Sequence, residues 1–157
     1  MKKLKYLVLH CTDTPVGRVV SKEDIDHWHM SPVAKGGRGW SRPGYSDMIG
    51  LCGELVNLRP YDQDEFVQKE ERTWGARGYN AISRHVVYAG GKGGDTRTDE
   101  QLATMFFYCH YFVRRHPDAK IIGHNQISSK SCPGFDVPAW LRSIGIDEKH
   151  IVEGKLV

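Results

Sequence analysis

Eight histidines and four cysteines give this chain a wide choice of metal-binding and nucleophilic groups. Three of them stand apart by position. His10 closes the run Tyr6-Leu-Val-Leu, and His124 follows Lys120-Ile-Ile-Gly. Each is a histidine at the carboxyl end of a strand-like stretch, from which a side chain projects rigidly into a cleft. Cys132 comes eight residues after His124, and Pro133-Gly134 behind it lets the chain fold the sulfur back. Two imidazoles and one thiolate leave the fourth position of a tetrahedral zinc open for water, the pattern of a catalytic rather than a closed structural site. Spacing alone does not decide for this set, because ligand geometry cannot be read across a gap of over a hundred residues. His27, His110, His116 and His150 lie in polar or helical surroundings and read as ordinary surface or core histidines. His29 and His85 have no partner at ligand spacing. Cys11, Cys52, Cys109 and Cys132 form no C-x-x-C pair, so neither a redox motif nor a zinc ribbon is indicated. A domain of this size needs no disulfides, and a reduced, cytosolic protein is expected.

The elements that must carry these residues follow from pattern. Tyr6 to His10 reads as a buried strand. Ser21-Lys-Glu-Asp24 has capping-box spacing and predicts a short helix with Ile25, Trp28 and His29 on one face. Residues 31–44, rich in Gly, Pro and basic side chains, read as an ordered loop or flap. Tyr45 to Leu51 and Glu54 to Arg59 flank Cys52-Gly53 as a hairpin. Asp62 to Arg72 is polar and gives no clear pattern. His85 to Ala89 is a strand ended by Gly90-Gly91. Thr98-Asp-Glu-Gln101 is a capping box, and Leu102, Met105, Phe106, Cys109, Phe112 and Val113 recur behind it at helical spacing up to Pro117. Lys120 to Gly123 is a strand that delivers His124, and a last helix runs around Pro138 to Ser143. Strands alternating with helices, plus one hairpin, predict a single α/β domain over 1–157 with a mixed central sheet flanked by helices.

Bulk properties narrow the function. A formal net charge of +3 is too small to argue for nucleic acid, though it suits an anionic partner such as a cell wall. No stretch reaches transmembrane length, so no membrane insertion is expected. The amino-terminal Met-Lys-Lys-Leu-Lys opens like a signal peptide, but His10 breaks the apolar run and no small-residue cleavage site follows.

Taken in order, His10-Cys-Thr-Asp-Thr-Pro15, Trp28-His29, Gly39-Trp40, Gly44-Tyr45, Gly78-Tyr79-Asn80 and Gly123-His-Asn-Gln-Ile-Ser-Ser-Lys-Ser-Cys-Pro-Gly-Phe-Asp136 form a series. It closely resembles the type 2 N-acetylmuramoyl-L-alanine amidases, which include phage lysozyme-type amidases and the animal peptidoglycan recognition proteins. The resemblance runs from about residue 6 to residue 141, and its last block is the most specific part. It implies one zinc per chain held by His10, His124 and Cys132, with Tyr45 and Lys130 as catalytic residues. The implied reaction is hydrolysis of the lactyl–L-alanine amide of peptidoglycan. The implied protein is a monomeric, endolysin-like enzyme, cytoplasmic as synthesised and acting on the wall after release. Trp40, Trp74, Arg77, Tyr79 and Asn80 are candidate substrate-groove residues, with ring faces for sugars and polar groups for carboxylates.

The sequence departs from the family pattern in places. Ser46 stands where the family often has His, and Asp47-Met-Ile49 is more polar than usual. Thr73 to Arg77 lacks a histidine often found before Gly-Tyr-Asn. Ser83-Arg-His-Val-Val87 replaces the usual Ser-Ile-Gly strand. These departures are expected to touch the substrate groove more than the metal. Some relatives recognise peptidoglycan without cutting it and typically lack the cysteine, so with Cys132 present a recognition module ranks second. A regulatory role ranks third, since no residue identifies a partner surface.

Overall fold

A central strand buried on both faces must be apolar almost throughout, and Tyr6–Cys11 meets that demand. The computed structural model describes residues 1–156. Along the chain run β1 (Lys2–Lys3), β2 (Tyr6–Cys11), α1 (Lys22–Met30), β3 (Asp47–Ile49), β4 (Leu55–Asn57), β5 (Phe66–Val67), β6 (Ser83–Tyr88), α2 (Asp99–Arg115), β7 (Lys120–Gly123) and α3 (Val137–Ser143). Five strands form a mixed sheet in the order β4-β3-β6-β2-β7, and β1 pairs with β5 in a separate ribbon. β2 lies parallel between β6 and β7, β3 is parallel to β6, and β4 closes one edge antiparallel. This is the α/β mixed sheet with flanking helices that the sequence predicts.

Alternation along the strands decides which face each side chain joins. Leu7, Leu9, Cys11, Val86 and Tyr88 pack beneath Met105, Cys109 and Phe112 of α2 and Val137 and Leu141 of α3. Met48 and Val87 turn the other way, toward Ile25 of α1 and Val20, with Tyr45 packed alongside. His10 and His85 share this second face, because Val87 and His85 are two residues apart in β6 and His10 pairs with Val87.

Both predicted capping boxes form, at Ser21–Asp24 and at Thr98–Gln101. The Thr98 hydroxyl accepts from Gln101 N at 3.1 Å and donates to Leu51 O at 2.8 Å, tying the start of α2 to the β3–β4 hairpin. Thr98→Ala removes both bonds. A cap alone contributes about 1 kcal/mol and the hairpin bond a similar amount. The variant is expected to be less stable by roughly 1–2 kcal/mol in urea unfolding.

The hairpin is shorter than predicted. Strand Tyr45–Leu51 contracts to Asp47–Ile49 because the Ser46 carbonyl accepts from two successive amides, Leu58 N at 2.8 Å and Arg59 N at 3.2 Å. That two-against-one arrangement ends the regular ladder as a bulge does, and it leaves Tyr45 in the approach to the strand. β6 begins at Ser83 rather than His85, since it pairs with β2 from Tyr6 onward. The polar stretch Asp62 to Arg72 contains β5, which the sequence does not announce. The buried Asp47 carboxylate accepts from Tyr108 Oη at 2.6 Å, from Asn57 Nδ2 at 3.0 Å and from the Tyr61 hydroxyl. Three donors offset its burial. It lies on the α2 face, so this departure does not reach the groove.

Candidate metal centre

His10 stands next to last in β2 and is 1% exposed. His124 begins a 3-10 turn (His124–Gln126) directly behind β7. Because β2 and β7 pair in parallel, their carboxyl ends lie side by side. The two rings approach to 4.7 Å between centroids. Cys132 reaches the same place from the following loop, and its sulfur lies 3.7 Å from His10 Nδ1. The ligand atoms of His10, His124 and Cys132 all lie within 4.8 Å of one another.

The loop carrying Cys132 is fixed from several sides. The buried Tyr88 hydroxyl donates to Pro133 O at 2.6 Å, and Asn125 Nδ2 donates to Phe135 O at 3.2 Å. The Cys11 amide donates to the Cys132 sulfur at 3.2 Å, a bond that favours a thiolate there. Behind His124, the Gln126 side chain accepts from Gly123 N and donates to Val152 O and Gly154 O, which pins residues 152–154 under the turn.

The protonation of the two imidazoles suits the binding of a cation. Burial first, then the neighbouring His85, His124 and Lys130 charges, holds His10 well below the usual histidine range. Burial and Lys130 bring His124 to about 4. Both imidazoles are therefore neutral lone-pair donors at neutral pH. The Cys132 thiol is pushed up by its contact with the Cys11 side chain and by burial. Two neutral imidazoles and a sulfur in reach of one point form a borderline-soft donor set, which fits zinc and not the hard, oxygen-seeking cations.

Tyr45 packs its ring 5.0 Å from His10 and 5.2 Å from His29. Burial raises its phenol well above the ordinary value, so it is a hydroxyl donor at any working pH. The buried His29 Nδ1 accepts from Gly44 N at 2.9 Å, which fixes the backbone just before Tyr45. Lys130 is exposed at the rim, close enough that its charge lowers both His10 and His124.

A groove of about 570 Å³ opens beside His124 and Lys130, lined by Trp40, Trp74, Arg77 and Asn80 among others. Trp40 and Trp74 meet at 6.0 Å, and Arg38 lies over Trp40 at 5.1 Å. Tyr79 does not join this lining; it packs edge-on against Tyr6 at 5.7 Å. The Asn80 side chain also holds the turn by accepting from Ala76 N at 2.9 Å.

Three neighbours of the centre escape a reading of the sequence: Arg38, Cys11 and His85. The departure at Ser83–Val87 bears on the metal ligand and not on the groove, because His85 Nδ1 sits 2.9 Å from His10 Nε2. Burial, with a further push from His124, holds His85 near 3. Only the β2–β6 register brings these two rings together, and register is not written in either strand alone.

Residues 1–135 match the family described as N-acetylmuramoyl-L-alanine amidase. The endolysin of Enterobacteria phage K11 is 28% identical over 86% of this chain and 83% of its own length. The endolysin of Escherichia phage T7 is 25% identical over 85% and 83%. Among solved structures, the Ph2119 endolysin from a Thermus scotoductus bacteriophage superposes with a TM-score of 0.72. It is 21% identical, with 94% of this chain and 88% of that one covered, a likeness of fold. With the family match spanning most of the sequence and the expected residues converging at the sheet's carboxyl edge, the chain belongs to the N-acetylmuramoyl-L-alanine amidases.

Proposed function

We propose that this amidase is a zinc enzyme of the phage or prophage lysin type, one zinc per chain, that hydrolyses the lactyl–L-alanine amide of peptidoglycan. The observation that carries the reading is the convergence of His10, His124 and Cys132 donor atoms within 4.8 Å at the head of an open groove. When bound, zinc supplies Lewis acidity toward the scissile carbonyl and lowers the pKa of water. The protein's own residues do the rest. Lys130 stands at the rim where negative charge builds on the carbonyl oxygen and offsets it. The Tyr45 hydroxyl hydrogen-bonds the attacking water or the leaving nitrogen. Trp40 and Trp74 offer ring faces to the sugars, and Arg77 and Asn80 offer polar groups to the stem peptide.

The enzyme acts as a monomer on the wall after release from the cytoplasm. All four cysteines are free. Among the described residues no helix is long and apolar enough to cross a membrane.

Purified protein is expected to carry about one zinc per chain, as a three-ligand catalytic site implies. A chelator abolishes stem-peptide release from purified peptidoglycan, and added zinc restores it. Full activity in metal-free protein overturns the metal reading. Wall binding without any cleavage, with zinc bound, overturns the hydrolytic one in favour of a recognition module.

A further inference from the structure

We infer that His85 is the positioning residue for His10, selecting the tautomer in which His10 can hold a metal; this rests on the zinc reading above. A neutral imidazole has one N–H and one lone pair. His10 points Nδ1 toward Cys132 Sγ, 3.7 Å away, and Nε2 toward His85 Nδ1, 2.9 Å away. To bind a cation, Nδ1 must present its lone pair, so the proton sits on Nε2 and His85 Nδ1 must accept it. The opposite pairing, with His85 as donor, places the His10 proton on Nδ1, facing the site. A partner that accepts from the outer nitrogen fixes both ring orientation and tautomer of a ligating histidine.

Two further observations favour this role over plain packing. Once His85 Nδ1 accepts, its own proton lies on Nε2, and that atom is buried with no hydrogen-bond partner among the described residues. His85 is 0% exposed, and an apolar side chain would fill the space without leaving a buried N–H unpaired. The chain also makes a slot for the ring. A Cβ at Gly75 would fall 2.5 Å from His85 Nδ1 and 2.6 Å from its Cγ, so any side chain there displaces the imidazole from His10. On the neighbouring strand approach, Ser46 N donates to His85 O at 2.8 Å and holds the backbone.

The test measures zinc affinity by competition with a chromogenic chelator, beside the thermal midpoint of the metal-free protein and the His10 tautomer from nitrogen-15 NMR. His85→Ala is expected to bind zinc roughly 10- to 100-fold more weakly, the usual effect of losing an outer partner of a ligand. Its His10 signal should show mixed tautomers. His85→Gln, whose amide oxygen can accept, should recover part of the affinity. His85→Leu fills the space without accepting and decides the matter if alanine does not fold. Wild-type affinity and an unchanged His10 tautomer in a folded His85→Leu protein overturn the inference. A wild-type protein that binds no zinc overturns the metal reading itself, and that shows in the wild-type arm alone.

Discussion

Protein carrying Cys132→Ser is expected to purify without zinc and to release no stem peptide above background. The substitution exchanges the sulfur for a hydroxyl that does not ionise near neutral pH, and it shortens the reach toward His10 Nδ1, which already lies 3.7 Å from Sγ. Removing a direct ligand costs more than the roughly 10- to 100-fold that follows loss of an outer partner. The fold should survive. The loop is held by Tyr88 donating to Pro133 O and Asn125 donating to Phe135 O, and neither bond involves residue 132. His10→Ala and His124→Ala should lose zinc in the same way. The measurements are zinc per chain by mass spectrometry, initial cleavage rate, and co-sedimentation with insoluble peptidoglycan. Serine at this position should retain wall binding, since the groove residues are untouched. Normal cleavage by Cys132→Ser would mean that the thiol is no ligand.

Lys130→Ala and Tyr45→Phe should keep zinc and substrate binding while turnover collapses. Lys130 stands between the groove beside His124 and a second cavity of about 840 Å³ along Gly134 to Pro138. Its ammonium gains little from an uncharged ground state and much from an oxyanion. Loss of one such donor costs on the order of a hundred- to a thousandfold in turnover. Tyr45→Phe deletes a hydroxyl and leaves the ring against His10 and His29, so the packing is conserved. Zinc content measured beside the initial rate separates catalysis from metal loading. Wild-type rates in both variants would make these side chains structural.

Much of this was legible in the sequence for physical reasons. A doubly buried strand such as Tyr6–Cys11 has to be apolar, and a helix start such as Thr98 needs an oxygen to meet its free amides, so both leave local marks. The donor set was half legible: the residue types of His10, His124 and Cys132 suited zinc, while their convergence depended on the likeness to a known family. What escaped depends on pairing at long range. The ribbon of Lys2–Lys3 with Phe66–Val67 is two residues long and leaves no periodicity to detect. His85 looked like an isolated histidine because its partner stands in another strand. Tyr79 sat in a groove motif, yet the turn directs it against Tyr6.

The order of the strands also sets when the enzyme becomes complete. β2 is made early but is flanked by β6 and β7, which are made much later. Each parallel pairing closes a long loop, an entropic cost that precedes any reward in contacts. A ribosome that has released β2 and β6 has produced one donor, His10; the second follows β7, and the third comes later still. No translation product that stops before residue 132 holds all three donors, so on the zinc reading activity cannot begin until that loop has been made.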